Sequence, residues 1–149
     1  MSTSEATRQP LPSDSDAIVR AMRACSLPRA QWTHIAHLTV GTWHVHTLGL
    51  EGALSEMPML IRSYNEATGI ANTDSSGYHE TLTVAYLREI HRQLNGFPDS
   101  TDLATLVITV LASELADSNW PHHFWSRERL WSTEARRAWI EPDLQPLPC

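Results

Sequence analysis

At 149 residues the chain has the length of one ordinary domain, and with 42% hydrophobic against 19% charged residues it can bury a core without disulfides. A net charge of −6 and the lack of any Lys/Arg cluster argue against nucleic acid as a partner, and Cys25 and Cys149, near opposite ends, suggest neither a disulfide framework nor a cysteine zinc site. The first 13 residues have neither the basic start nor the apolar run of a secretory leader, and no stretch nears the roughly 18 apolar residues of a membrane span, so the expectation is a cytoplasmic protein with a disordered tail at 1–13 and a helical domain over 14–149.

Ile18, Val19, Met22 and Cys25 recur at helical spacing after Ser13-Asp14, which predicts a first helix ended by Pro28. A longer second helix is expected over 31–48, where Trp32, Ile35, Leu38, Val40, Trp43 and Val45 repeat without an internal proline and Gly49 supplies the stop. Gly41 inside it costs about 1 kcal/mol relative to alanine, so it either permits close approach by a neighbour or is neutral. A third helix over 50–67 carries Leu54, Met57, Leu60, Ile61 and Tyr64, with Pro58 marking a kink or a shifted start. The turn-rich run Asn72 to Gly77 then delivers Tyr78-His79-Glu80-Thr81 to a helix entrance.

From about His79 to Leu94 the residues Leu82, Tyr86, Leu87, Ile90 and Leu94 form one apolar arc, closed by Asn95-Gly96 and Pro98. Residues 101–116 are apolar nearly all round, which favours a central buried helix over a pair of strands. A last helix is expected over Ser126 to Trp139, followed by an extended tail marked by Pro142, Pro146 and Pro148. The sum is an all-α, single-domain bundle of five or six helices, an architecture that often builds sites from side chains on facing helices.

Eight histidines are present, and their placement carries the functional reading. On the second helix His34, His37 and His44 fall with Gly41 within an arc of about 80°, while His46 points the other way. Histidines at i, i+3 can ligate one metal ion if another helix completes the set. His79, in the apolar arc of its own helix, is the candidate third ligand, and Glu80 beside it is the candidate acid/base that takes a proton from a bound water or substrate. Against this stands the plainer reading that neutral histidines pack at helix interfaces, and that an acid in a first helical turn serves the helix dipole. His44, His46 and His91 read as packing or surface residues.

Arg127 and Arg129 are candidates for holding a substrate carboxylate or phosphate, although residues two apart on a helix do not face the same way, so at least one is expected to pair with an acid or remain solvated. Asn65, ahead of the turn-rich loop, either binds substrate, orients that loop or satisfies backbone near the helix end. Six tryptophans are chiefly core material.

Taken in order, His34-Ile35-Ala36-His37, Arg62-Ser63-Tyr64-Asn65, Gly77-Tyr78-His79-Glu80-Thr81, Ser126-Arg127-Glu128-Arg129-Leu130 and Glu141-Pro142-Asp143-Leu144 form a set that resembles a family of small, largely uncharacterised bacterial helical proteins, over roughly residues 30–146. The resemblance supports the choice of His34, His37, His79, Glu80, Arg127 and Arg129 and implies no particular reaction. The chain also looks like metal-binding bundles of the DinB type in offering histidines from separate helices, an analogy that transfers no ligands.

The leading expectation is therefore a small metal-dependent enzyme of hydrolase or lyase type acting on a small anionic substrate. His34, His37 and His79 would hold zinc, iron or copper, with Glu80 as acid/base and Asn65, Arg127 and Arg129 on the substrate. The alternatives are a metal-free pocket that binds a small ligand or does acid/base chemistry, and a helical interaction module whose tryptophan-rich surface docks a partner or a second copy.

Overall fold

The computed structural model describes residues 14–148; the tail expected at 1–13 lies outside the described residues. Six α-helices are present among them and no strand: α1 Ser15–Arg23, α2 His34–Ala67, α3 Glu80–Leu94, α4 Leu103–Leu111, α5 Arg127–Leu130 and α6 Thr133–Arg137. Single 3-10 turns at Arg29–Gln31, Glu114–Ala116 and Trp120–His123 link them. No helix among the described residues is long and apolar enough to cross a membrane.

The spine is α2, against which α1, α3 and α4 all pack. It is two helical segments that meet at Gly49, the one interior residue with non-helical dihedrals (φ 75°, ψ 170°), a conformation open to glycine because it has no Cβ. The break expected at Gly49 is thus real, and Pro58 is accommodated without a second one. Thr33 starts α2 by accepting the Ala36 N–H, and α1 closes through Cys25 in the left-handed region (φ 54°) while the Ser26 and Leu27 N–H groups donate back to the Ala21 carbonyl.

Gly41 of α2 is buried where it faces Leu87 and Ile90 of α3. A Cβ on Gly41 would stand 3.1 Å from Ile90 Cδ1, so glycine here lets α3 come close, one of the two roles open from the sequence. Met22, Leu38, Leu87, Leu106, Val110, Leu115, Trp125 and Leu130 complete the core, and burying each such aliphatic side chain contributes roughly 1.5–3 kcal/mol relative to exposure.

Two predicted elements are shorter than expected. The central buried helix over 101–116 is α4, only Leu103–Leu111, followed by a 3-10 turn, and Ile108 on it is 53% exposed, so one face is buried rather than all of it. The helix over 126–139 divides into α5 and α6 because Ser132 interrupts it: its hydroxyl donates to the Arg129 carbonyl and accepts from the Ala135 N–H, closing one helix and capping the next. Beyond α6 the described residues contain no helix and are held by a side-chain bond, Trp125 Nε1 to the Ile140 carbonyl, and a main-chain bond, the Leu144 N–H to the Phe124 carbonyl.

Candidate functional site

Between α2, α3 and the segment leading into α5 lies a cavity of about 330 Å³. Aliphatic side chains of Leu38, Met57, Ile61, Leu82, Leu87, Ile90 and Leu130 form most of its wall, and Tyr86, Trp131 and Pro121 supply rings. Its polar groups are His34, His37, His122, Thr83, Ser118 and the Tyr86 hydroxyl. Among the described residues that line it there is no Asp, Glu, Lys or Arg. Trp131 is 46% exposed, an unusual cost for so large an apolar ring unless something covers it.

His34 and His37 share this cavity as their helical spacing predicts, and local bonds set both rings. His37 Nδ1 lies 2.7 Å from the Thr33 carbonyl, which can only accept, so Nδ1 carries the hydrogen. One ring face stacks on Trp32 at 3.7 Å between centroids. Nε2 makes no hydrogen bond among the described residues and holds a lone pair when the ring is neutral. His37 keeps an exposed surface; the protein packed around its ring lowers its pKa, the Thr33 carbonyl opposing the shift and His34 and Arg29 adding to it. His34 Nε2 donates to the Leu115 carbonyl at 2.7 Å, and its ring meets the edge of Tyr86. Burial raises the Tyr86 phenol, with Asp117 adding to it, so that hydroxyl keeps its proton at neutral pH.

His79 has a different task. It stands one residue ahead of α3 in extended conformation, where Nδ1 accepts the Leu82 N–H (3.1 Å) as a helix cap and Nε2 donates to the Leu130 carbonyl (2.6 Å). Both ring nitrogens are therefore spent, the residue is only 6% exposed, and Trp131 packs edge-on against it at 5.2 Å. Burial lowers its pKa, the Leu130 bond opposing, so the ring is neutral. The set His34, His37 and His79 does not fit a shared metal ion, because His79 has no free lone pair. Among the described residues no group of three or more His, Cys, Asp or Glu side chains is placed to hold one.

Glu80 accepts the Tyr78 hydroxyl at 2.6 Å and does not line the cavity. Thr81 completes the motif: its hydroxyl donates to the Ala138 carbonyl (2.9 Å) and accepts the Ile140 N–H (3.2 Å). Gly77 permits the loop that presents these residues. It has φ +82°, and a Cβ there would fall 2.6 Å from both the Ala71 carbonyl oxygen and Asn72 Oδ1.

Asn65, 3% exposed, lies away from the cavity wall and orients the loop, one of the roles foreseen for it. Its Oδ1 accepts Arg29 Nη1 (2.9 Å) and its Nδ2 donates to Asn72 Oδ1 (3.0 Å), which also accepts the Tyr78 N–H (3.0 Å). Arg129 is committed through Nε to the Glu141 carbonyl (2.7 Å). Ser126 donates its main-chain N–H and its hydroxyl to the two carboxylate oxygens of Asp143 (2.8 and 2.7 Å), so the Ser-Arg-Glu-Arg and Glu-Pro-Asp motifs form one clasp that holds the C-terminal segment. These two bonds keep the Asp143 carboxyl below its usual pKa. Arg127 is exposed and makes no hydrogen bond or ion pair among the described residues; its charge helps depress His122, after the larger effect of burial.

The site residue that sequence reasoning passed over is His122, on the 3-10 turn Trp120–His123. It lines the cavity, and its Nδ1 is buried with no partner in the protein. A 3-10 turn has no amphipathic period, so the sole signal was two histidines following Pro121 within an aromatic run. His44 is a core residue as expected: Nδ1 donates to the Val40 carbonyl (2.8 Å) and Nε2 accepts Arg23 Nη1 (3.0 Å).

No protein-family model matches this chain, and neither a curated protein nor a solved structure is similar to it.

Proposed function

We propose that the protein binds a small, neutral, largely apolar molecule in the cavity between α2, α3 and the Trp120–Trp131 segment, without a resident metal. The observation that carries this reading is the wall itself: an aliphatic and aromatic enclosure of about 330 Å³, with a few polar groups and no charged side chain among its described lining residues. Pockets that take small molecules have this character, mostly apolar with a small number of fixed polar groups that orient the ligand. A cavity of about 150 Å³ holds a benzene-sized molecule, so this one suits a ligand about twice that size.

Two further facts support it over a metal centre acting on an anion. The third histidine of the expected ligand set is engaged at both nitrogens. The arginines expected to hold an anion are elsewhere, Arg129 in the C-terminal clasp and Arg127 at the surface.

The test is calorimetric titration with naphthalene, a bicyclic hydrocarbon without polar groups, alongside the metal content of untagged protein by mass spectrometry. Saturable one-to-one binding is expected, and Ile61→Trp, which fills part of the wall, should weaken it strongly. Absence of binding by naphthalene and by its hydroxylated analogue 2-naphthol alike, or near-stoichiometric metal that disappears in His37→Ala, would overturn the reading.

A further inference from the structure

Three groups on the cavity wall are polar and incompletely used, and their bonding decides what ligand they recognise. His37 is anchored from two sides, by the Thr33 carbonyl at Nδ1 and by Trp32 across one face, so the edge bearing Nε2 is the part left open to a ligand. His34 is anchored through the opposite nitrogen, its Nε2 donating to the Leu115 carbonyl. On another wall the Nδ1 of His122 is buried without a partner, a condition that costs free energy until a ligand or water supplies the missing bond. None of these sits beside an acidic side chain of the lining that would favour a charged imidazolium.

Such a wall discriminates among small molecules by their hydrogens. A neutral His37 offers a lone pair and no hydrogen, so it rewards a hydroxyl or N–H on the ligand and repels a carboxylate. An apolar ligand with no donor would leave Nε2 dry and unbonded, which is the condition binding sites exploit to reject analogues lacking a polar group.

We infer that the ligand carries a single hydroxyl or N–H donor on an aromatic or alicyclic body of bicyclic size, seated with that donor on His37 Nε2. This rests on the small-molecule pocket proposed above and specifies the chemical class it selects. The downward direction of the His37 pKa agrees with its acceptor role. The same depression makes it a weak base, so it recognises the donor without removing its proton.

The experiment uses three bicyclic probes with one carbon skeleton, 2-naphthol, naphthalene and 2-naphthoate, titrated at neutral pH into the full chain and into His37→Leu. In the native protein 2-naphthol should bind roughly three- to tenfold more tightly than naphthalene, the range of one neutral hydrogen bond, and 2-naphthoate more weakly than either. His37→Leu should abolish the preference for 2-naphthol over naphthalene, whatever the change in the affinity for naphthalene itself. The 15N resonance of His37 Nε2 in the native protein should move on adding 2-naphthol and stay near its free position with naphthalene, which tests the contact without relying on the variant. Equal binding of 2-naphthol and naphthalene, tightest binding of 2-naphthoate, or a preference that survives in His37→Leu would overturn the inference while leaving the pocket itself standing. Failure of all three to bind overturns both.

Discussion

Replacing His79 with alanine separates the two tasks a histidine at this position can have. The substitution removes the cap on the Leu82 N–H, worth about 1 kcal/mol. It also strands the Leu130 carbonyl, whose own residue is fully buried, for about 1–3 kcal/mol more. Together these give a loss of about 3 kcal/mol, which for a chain of this size lowers Tm by about 6–12 °C. His79→Asn restores a good capping side chain without reaching Leu130 and should recover about 1 kcal/mol. Urea denaturation of the three proteins, each with and without a chelator, reads both effects. If His79 is a cap and a cross-link, the loss is the same in both buffers. A loss below about 0.5 kcal/mol, or one that vanishes when the chelator is present, would refute the structural role and return His79 to the metal ligands.

Acid should destabilise the fold earlier than carboxylate titration alone would. Burial lowers the pKa of His44 and His79, the two buried histidines, so the folded state binds fewer protons than the unfolded one; this contribution is complete above about 6.5 and is lost as pH falls from there through the folded values. Each such group adds a slope of up to about 1.4 kcal/mol per pH unit within its window, and urea midpoints that stay level between pH 6.5 and 5 would contradict it. Gly77→Ala should cost at least about 1–2 kcal/mol, because it combines a positive φ with a Cβ 2.6 Å from backbone oxygen, and a stability change near zero would show that the loop relaxes freely.

The helix wheel placed His34, His37 and Gly41 on one stripe, and all three line the cavity, because a regular helix keeps its period over those two turns. His44, at the edge of the same stripe, turns instead to Arg23 of α1. The wheel also put His79 on the buried side of α3, and it is buried. What the period could not carry is that a residue one place ahead of the helix has extended backbone, so its side chain turns back onto the first-turn N–H groups. Gly49 and Gly77 were legible as punctuation, since both conformations favour glycine. The division between α5 and α6 was less so: Ser132 reads as an ordinary helical residue until its hydroxyl is seen bonding in both directions. His122 lay on a turn with no period at all.

A physical reason links several of the candidate site residues with the structural bonds they make. From Leu111 onward the chain contains only 3-10 turns, two helices of one turn or little more, and extended segments, so many of its main-chain groups have no helical partner. Such groups must be met by side chains if they are to be buried. His79 serves Leu130, Thr81 serves Ala138 and Ile140, Arg136 serves Gly77, Trp125 serves Ile140, and Arg129 serves Glu141. Histidine, threonine and arginine are used for this because they reach carbonyls across a gap, and those are also the residue types of active sites. In a bundle with so irregular a last third, a cluster of them therefore predicts a stitched backbone as readily as chemistry. The residues left over once the stitching is subtracted are the informative ones. On the wall of the apolar cavity, subtraction leaves, among others, His37 Nε2 and the buried, unpartnered His122 Nδ1.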